Sequence, residues 1–294
     1  MGDYLVTGGC GFIGGHIVDR LVSMSHNVTV IDDLSAPENE TFHYNEKARY
    51  FKQDISKSDC SSLFQGIDCV FHLAARSRIQ PTIGNPSECF EVNVIGTQRI
   101  LEWCRTYSVK KVVYSGTSSL YGHQNIIPFT PAMSPDCLNP YSMSKWMGEQ
   151  VCKLYYQLYG IESIVLRYFN VFGPREPIKG VYAPVIGLFK RQVKSGMPMT
   201  IVGDGSQRRD FTYIDDVVDA NMSALVADVR FGIYNVGTGK NYSINEIADM
   251  VGKEKIYIHE RPAEVKETLA DINLTLQDLG WSPSIDISKI IDQY

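Results

Sequence analysis

Thr7-Gly8-Gly9-Cys10-Gly11-Phe12-Ile13-Gly14 is the stretch whose reading decides the fold. It follows the apolar run Tyr4-Leu5-Val6 and leads into His16-Ile17-Val18-Asp19-Arg20-Leu21-Val22, whose apolar spacing is helical. In a strand, turn and helix of this kind, Gly8, Gly11 and Gly14 let the backbone turn tightly and approach a pyrophosphate. The amides and dipole at the helix N-terminus favour negative charge there, and Phe12 and Ile13 supply the first of those amides. Glycine spacing alone also suits a turn that only packs helix on strand. The next strand, Val28-Thr29-Val30-Ile31, adds context by ending in Asp32-Asp33, 18 residues beyond Gly14. That is close to the spacing of an acid that accepts from a ribose 2′-hydroxyl and repels a 2′-phosphate, so NAD is the expected cofactor. Asp54-Ile55, after the following strand, is placed to flank the adenine, although Asp54 alone reads equally well as a turn residue.

Outward from this loop, short runs rich in β-branched residues recur at 69–73, 111–114 and 163–166, separated by longer amphipathic stretches. Strands that are apolar throughout and alternate with helices imply a parallel sheet covered on both faces, a doubly wound α/β fold. Asn139-Pro140 predicts a capped helix start with proline in the first turn, and Gly160 predicts its end. From about residue 171 glycine and proline interrupt the pattern. The expected organisation is a cofactor domain over 1–170, with return segments near 209–238, and a smaller, partly interleaved substrate domain over 171–294.

A chain of 294 residues with 44% hydrophobic content can bury a large core. Its net charge of −5 argues against nucleic-acid and anionic-membrane binding, which need a basic surface. The seven cysteines form no C-x-x-C pair and their count is odd, as expected of reduced thiols. No apolar run reaches membrane-spanning length, and the opening strand leaves no room for a signal peptide, so a cytoplasmic location is expected. No metal site is expected.

Tyr141-Ser142-Met143-Ser144-Lys145 sets a phenol and an ammonium on one face of the predicted helix. A fixed positive charge nearby lowers a phenol's pKa, which makes Tyr141 a candidate general base. Alone, this spacing is common by chance. It gains weight from the glycine loop and from Tyr114-Ser115-Gly116-Thr117-Ser118-Ser119-Leu120-Tyr121-Gly122, a strand end rich in hydroxyls and free of carboxylates.

With these motifs the chain resembles the extended short-chain dehydrogenase/reductase family, and within it the NAD-dependent nucleotide-sugar epimerases and dehydratases. The resemblance runs essentially full length and includes His72-Leu73-Ala74-Ala75, Asn93-Val94-Ile95-Gly96-Thr97, Leu166-Arg167-Tyr168-Phe169-Asn170 and Gly203-Asp204-Gly205 with Arg209-Asp210-Phe211. It implies a Rossmann-type domain, with Leu73, Ala74, Ala75, Asn93, Ser115, Tyr168 and the Tyr141/Lys145 pair also at the cofactor. It further implies a UDP-sugar substrate, and a homodimer formed through helices such as 87–107 and 140–159. Catalytic roles fall on Thr117, Tyr141 and Lys145. The two positions after the threonine resemble Asp-Glu in the 4,6-dehydratases, and the second is typically Glu in the decarboxylases. Ser118 and Ser119 stand there in this chain, which favours 4-epimerisation through a 4-keto sugar.

Substrate contacts implied by the resemblance are Ser118, Asn170, Val185 near the uracil, and Arg209 and Arg261 at the diphosphate, where a merely solvated basic face is the competing reading. Thr268 occupies a gate position where small residues go with N-acetylated sugars, favouring UDP-GlcNAc/UDP-GalNAc alongside UDP-Glc/UDP-Gal, unless the threonine has no role in selection. Arg76-Ser77-Arg78 departs from the small residues usual in this loop. Arg78 either points to solvent or pairs a uronic acid carboxylate, which keeps a UDP-glucuronate 4-epimerase as an alternative. A dehydratase and a non-catalytic NAD-binding regulator are the remaining rivals.

Overall fold

The computed structural model describes residues 1–36, 42–124, 126–178, 183–260 and 265–291. Strands β1 (Asp3–Thr7), β2 (Asn27–Asp32), β3 (Arg49–Lys52), β4 (Cys69–His72), β5 (Lys111–Thr117) and β6 (Glu162–Tyr168) succeed one another in the first part of the chain. Helices α1 (Phe12–Ser23), α2 (Ile79–Gly84), α3 (Pro86–Phe90), α4 (Gly96–Thr106) and α5 (Pro140–Tyr159) run between them. Next come β7 (Val171–Phe172), α6 (Val185–Lys194), β8 (Met199–Val202), β9 (Arg208–Asp210), β10 (Thr212–Tyr213), α7 (Ile214–Val226) and β11 (Phe231–Val236). The chain continues through β12 (Asn241–Ser243), α8 (Ile244–Val251), β13 (Lys255–Ile258), α9 (Asn273–Leu279) and α10 (Ile287–Ile290).

The central sheet has the order β11-β6-β5-β4-β1-β2-β3 and every pairing in it is parallel. The chain winds from β1 outward through β2 and β3, then restarts at β4 on the other side of β1. Strand order therefore reverses beside β1, and the crevice at the carboxyl ends of β1 and β4 is the natural ligand position of such a sheet.

Alternate strand residues feed two apolar layers. Leu5, Val70, Val112 and Val165 pack with Ile100, Leu101 and Cys104 of α4 and Cys152 and Tyr155 of α5. Val6, Phe71, Val113 and Ile164 pack on the opposite face with Ile17 and Leu21 of α1 and Val217 and Val218 of α7. Burial on both faces is why these strands carry no polar alternation. β11 extends the sheet at the β6 edge, so the chain returns to the first layer after its excursion through β7 to β10.

Helix α5 starts as its sequence dictates. The Asn139 side chain accepts from the Ser142 amide at 2.9 Å, Pro140 follows, and Gly160 ends the helix at φ 73°. The single helix expected over 87–107 is instead α3, a wide π turn at Glu91–Ile95, and α4. Among the described residues no helix is long and apolar enough to cross a membrane.

Candidate active site

The loop after β1 folds against itself and against the end of β4. Gly8 has φ 71°, its amide donates to the Ile31 carbonyl at 2.8 Å, and a Cβ there would lie 2.8 Å from the Ala74 nitrogen. A Cβ on Gly14 would stand 2.2 Å from the Gly8 carbonyl oxygen, so only glycine fits. No described side chain caps α1, which leaves its first-turn amides for an anion. These glycines with Phe12 and Ile13 line a cleft of about 700 Å³, together with Asp32 and Asp33 at the end of β2, Asp54 and Ile55 beyond β3, and Leu73, Ala74 and Ala75 beyond β4. The residues fit an adenine dinucleotide with a free 2′-hydroxyl.

Asp32 is oriented by two amides, Cys10 at 3.0 Å and Leu34 at 2.8 Å, and burial raises its pKa. Asp54 accepts from the Ser56 amide and hydroxyl at 2.8 and 2.6 Å, so it closes a turn while its residue borders the cleft. Asn93 follows Val92 and bonds Arg76, both of which border the cleft. It is buried, accepting from the Arg76 amide at 2.7 Å and donating to the Arg76 carbonyl at 3.1 Å and the Ser144 hydroxyl at 2.9 Å. Its amide is spent on holding one loop to α5.

His72 was quoted above within a motif without a role. Its Nδ1 lies 2.7 Å from the Thr7 hydroxyl and its Nε2 2.9 Å from the Thr97 hydroxyl. The Thr97 hydroxyl donates to the Asn93 carbonyl, so it accepts from Nε2–H, and Nδ1 accepts from Thr7. Burial, and then the Lys145 charge, lower the His72 pKa to about 3, keeping it neutral as a structural link between β1 and α4.

Thr117 ends β5, and its hydroxyl oxygen accepts from the Ser119 amide at 3.2 Å to open one 3₁₀ turn. Tyr141 and Lys145 rise from the first two turns of α5, and all three side chains border the cleft with Ser115, Ser118 and Tyr168. Lys145 is buried, donates to the Ser115 carbonyl at 2.8 Å and lies 4.9 Å from the centre of the Tyr114 ring. Burial lowers its pKa to about 8. The expected depression of Tyr141 by Lys145 is not what the protein alone shows. Burial raises the Tyr141 pKa, opposed by a hydrogen bond with Thr117 and then by the Arg78 charge, while the Lys145 ammonium is committed to Ser115 and Tyr114.

A second cavity of about 320 Å³ adjoins the first, sharing Ile79, Ser118, Ser119 and Asn170, and includes Val185, Arg209 and Thr268. Asn170 is held at φ 29° and donates to the Asp210 carbonyl at 2.8 Å and the Thr268 hydroxyl at 3.4 Å. The Thr268 hydroxyl also accepts from the Asp210 amide at 3.2 Å, which fixes it in the wall. Arg209 donates to the Arg208 and Lys266 carbonyls at 2.9 and 3.3 Å. Arg78 borders the first cleft rather than lying outside it. Arg261 lies outside the described residues.

Sequence reasoning missed the support beneath β5, the strand that carries the candidate Thr117. Arg167 on β6 donates to both carboxylate oxygens of Glu149 on α5, at 3.0 and 2.7 Å, and to the Tyr121 hydroxyl at 2.9 Å. Tyr121 in turn donates to Asn235 on β11 at 2.6 Å. The pair is buried directly under Gly116, where a Cβ would come within 3.2 Å of both side chains. A signal was present, since Glu149 sits one turn beyond Lys145 and Arg167 interrupts an apolar strand. Buried charges demand partners.

With a phenol and an ammonium raised beside a dinucleotide cleft at the switch point of a parallel sheet, the molecule falls in the extended short-chain dehydrogenase/reductase class. More narrowly, residues 4–237 match the model of the NAD dependent epimerase/dehydratase family, and the chain belongs to that family, with NAD as its cofactor. It is 38% identical over 294 residues to a putative UDP-glucose 4-epimerase of Methanocaldococcus jannaschii, covering 97% of this chain and 94% of the relative. Its structure is similar to a UDP-N-acetylglucosamine 4-epimerase of Methanobrevibacter ruminantium in complex with UDP-N-acetylmuramic acid. The TM-score is 0.93 and the identity 32%, over 99% of this chain and 96% of the other. It also resembles a UDP-glucuronic acid 4-epimerase of Bacillus cereus in complex with UDP-glucuronic acid and NAD. Here the TM-score is 0.88 and the identity 30%, again over 99% and 96%.

Proposed function

We propose that the protein is a UDP-sugar 4-epimerase that recycles its NAD. The observation that carries this reading is the make-up of the second cavity, which adjoins the cleft that Tyr141 and Thr117 border. Its described polar lining consists of hydroxyls, the amides of Asn139, Asn170 and Gln207 and one charged side chain, Arg209, with no carboxylate. Elimination from a 4-keto sugar needs an acid and a base at C5 and C6, and Ser118 and Ser119 cannot supply them at neutral pH. Relatives named as epimerases support the same conclusion.

In this reading, Tyr141 as phenolate takes the proton of the sugar 4-hydroxyl and Thr117 hydrogen-bonds the same oxygen. The chemistry supplied by bound NAD is reversible removal of the C4 hydrogen with its electron pair. Lys145, fixed on the Ser115 carbonyl, adds positive charge on the cofactor side of the phenol. Arg209 and Arg261 are assigned to the diphosphate, Asn170 and Val185 to the nucleotide-sugar. The mixed walls of the second cavity, with Phe211 and Val202 among their apolar residues, suit a pyrimidine and a sugar free to turn over. The NAD-binding part comprises residues 1–170 with 209–238, and the UDP-sugar part the remainder of 171–294. A homodimer through the 87–107 and 140–159 regions is supported by the exposed Leu154, Leu158 and Tyr159 of α5.

The preferred pair is UDP-GlcNAc/UDP-GalNAc, with UDP-Glc/UDP-Gal also accepted, because the buried Thr268 keeps the wall beside Asn170 small. Thr268→Tyr is expected to lower activity on UDP-GlcNAc more than about tenfold while sparing UDP-Glc; equal losses on both would remove the gate assignment. UDP-glucuronate is the second reading, favoured by the charge of Arg78 acting on Tyr141 within the cleft. Incubation with UDP-Glc, UDP-GlcNAc and UDP-GlcA without added NAD, followed by separation of epimers, tests the function and ranks the sugars. A 4,6-elimination product, or net NADH accumulation, overturns it.

A further inference from the structure

Arg76 is used by neither the catalytic set nor the sugar cavity, yet the structure holds it firmly. Asn93 grips its amide and its carbonyl, at 2.7 and 3.1 Å, and is itself tied to Ser144 of α5. From this anchor the guanidinium donates through Nη1 to Asp33 Oδ2 at 3.1 Å and to the Ser35 hydroxyl, and through Nε to Glu88 Oε1 at 2.8 Å. The ion pairs are partly shielded, the side chains of Arg76, Asp33 and Glu88 being 25%, 27% and 41% exposed.

Topology gives these contacts a consequence. Asp33 and Ser35 belong to the loop after β2, Arg76 belongs to the loop after β4, and β1 lies between those two strands. Neighbouring strands are about 4.8 Å apart, so the Arg76 side chain bridges roughly 10 Å across the carboxyl end of β1. That is where the glycine loop begins. Asp33, Ser35, Arg76 and Glu88 all border the dinucleotide cleft, next to the ribose-directed Asp32. A dinucleotide leaving the adenosine end must part the two loops, and with them the ion pairs.

We propose that Arg76, caught by Asp33 and Glu88, is a latch over the adenosine end of the cleft that slows release of NAD. The proposal rests on the NAD cleft and deepens the epimerase reading. An enzyme that returns the C4 hydrogen to the same sugar regenerates its cofactor, so retaining it suits the cycle. Because release is measured without sugar, failure of the latch and failure of the epimerase reading are separate results.

The test loads the full-length protein with NAD, chases with excess unlabelled NAD and follows loss of label at low ionic strength. Arg76→Gln is expected to release NAD about tenfold faster, a change of about 1.4 kcal/mol. Glu88→Gln, which removes one catch, is expected to release it about threefold faster, and the double variant no faster than Arg76→Gln alone. In the unaltered protein, roughly 1 M salt should bring the rate toward that of the Arg76 variant, because partly exposed ion pairs are screened. Release from both variants within about twofold of the parent, or a rate in the parent indifferent to salt, overturns the latch. Even where a variant folds poorly, the salt series on the unaltered protein can overturn the latch, since a rate indifferent to salt excludes an ion-pair catch.

Discussion

Tyr141→Phe is expected to abolish nearly all epimerisation, lowering turnover by about 10²–10⁴-fold while leaving the fold and bound NAD in place. The phenylalanine keeps the ring, so packing at the start of α5 changes little. What is lost is the phenol oxygen, hydrogen-bonded with Thr117, that the proposed mechanism uses to take the 4-hydroxyl proton. Because burial raises the phenol's pKa in the protein alone, the active phenolate becomes scarcer as pH falls, and the rate of the parent enzyme should decline on the acid side. Thr117 and Arg78 oppose burial, and so does positive charge brought by the oxidised cofactor. Measuring turnover across pH, beside the NAD content of denatured protein, checks both statements. A Tyr141→Phe protein with full activity would overturn the catalytic assignment.

The largest expected loss of stability follows from Arg167→Leu, at about 3–5 kcal/mol, because removing one partner strands the other charge in the core. Glu149 is fully buried, and Arg167 supplies two of its hydrogen bonds and anchors Tyr121. Burial already raises the Glu149 pKa, and Arg167 is the first influence opposing that rise. Without it the folded-state pKa climbs further, so the native state holds a proton that the unfolded state has lost. Stability then falls as pH rises from the ordinary glutamate range through the raised value. The destabilisation should therefore be greater at neutral pH than at mildly acid pH, and the Glu149→Leu/Arg167→Leu double variant should recover much of it. Denaturant unfolding at two pH values reads this directly. A loss below about 1 kcal/mol at neutral pH would show that Glu149 finds another partner.

The site was legible wherever its chemistry sits in a short contiguous motif. The turn from Gly8 to Gly14 is dictated locally, since a Cβ at Gly14 would strike the Gly8 carbonyl. The Tyr141 and Lys145 spacing is a property of one helix. Ser118 and Ser119 are informative for what they are not, and no carboxylate stands in the described lining of the second cavity. Asn93 is legible as a motif position, but a motif does not record which groups its side chain meets. Its side chain holds Arg76, through contacts that span 17 residues. The expected helix over 87–107 carries a π turn around that same asparagine, a local deviation that hydrophobic periodicity does not register.

By itself the sequence determined the doubly wound sheet and the glycine loop, and it singled out the acid at the end of β2 and the hydroxyl, phenol and ammonium proposed as the catalytic set. These follow from strand and helix periods, turn sterics and spacings of a few residues, which local chain geometry enforces. Only the tertiary structure decided that Glu149 meets Arg167 beneath Gly116, that Thr268 faces Asn170 across 98 residues, and that Arg76 reaches Asp33 over the end of β1. It also decided that Lys145 donates to the Ser115 carbonyl and that burial raises the Tyr141 pKa in the protein alone. Such pairings depend on which strands lie side by side and how far each side chain is removed from water, and the energy of a charge depends on both.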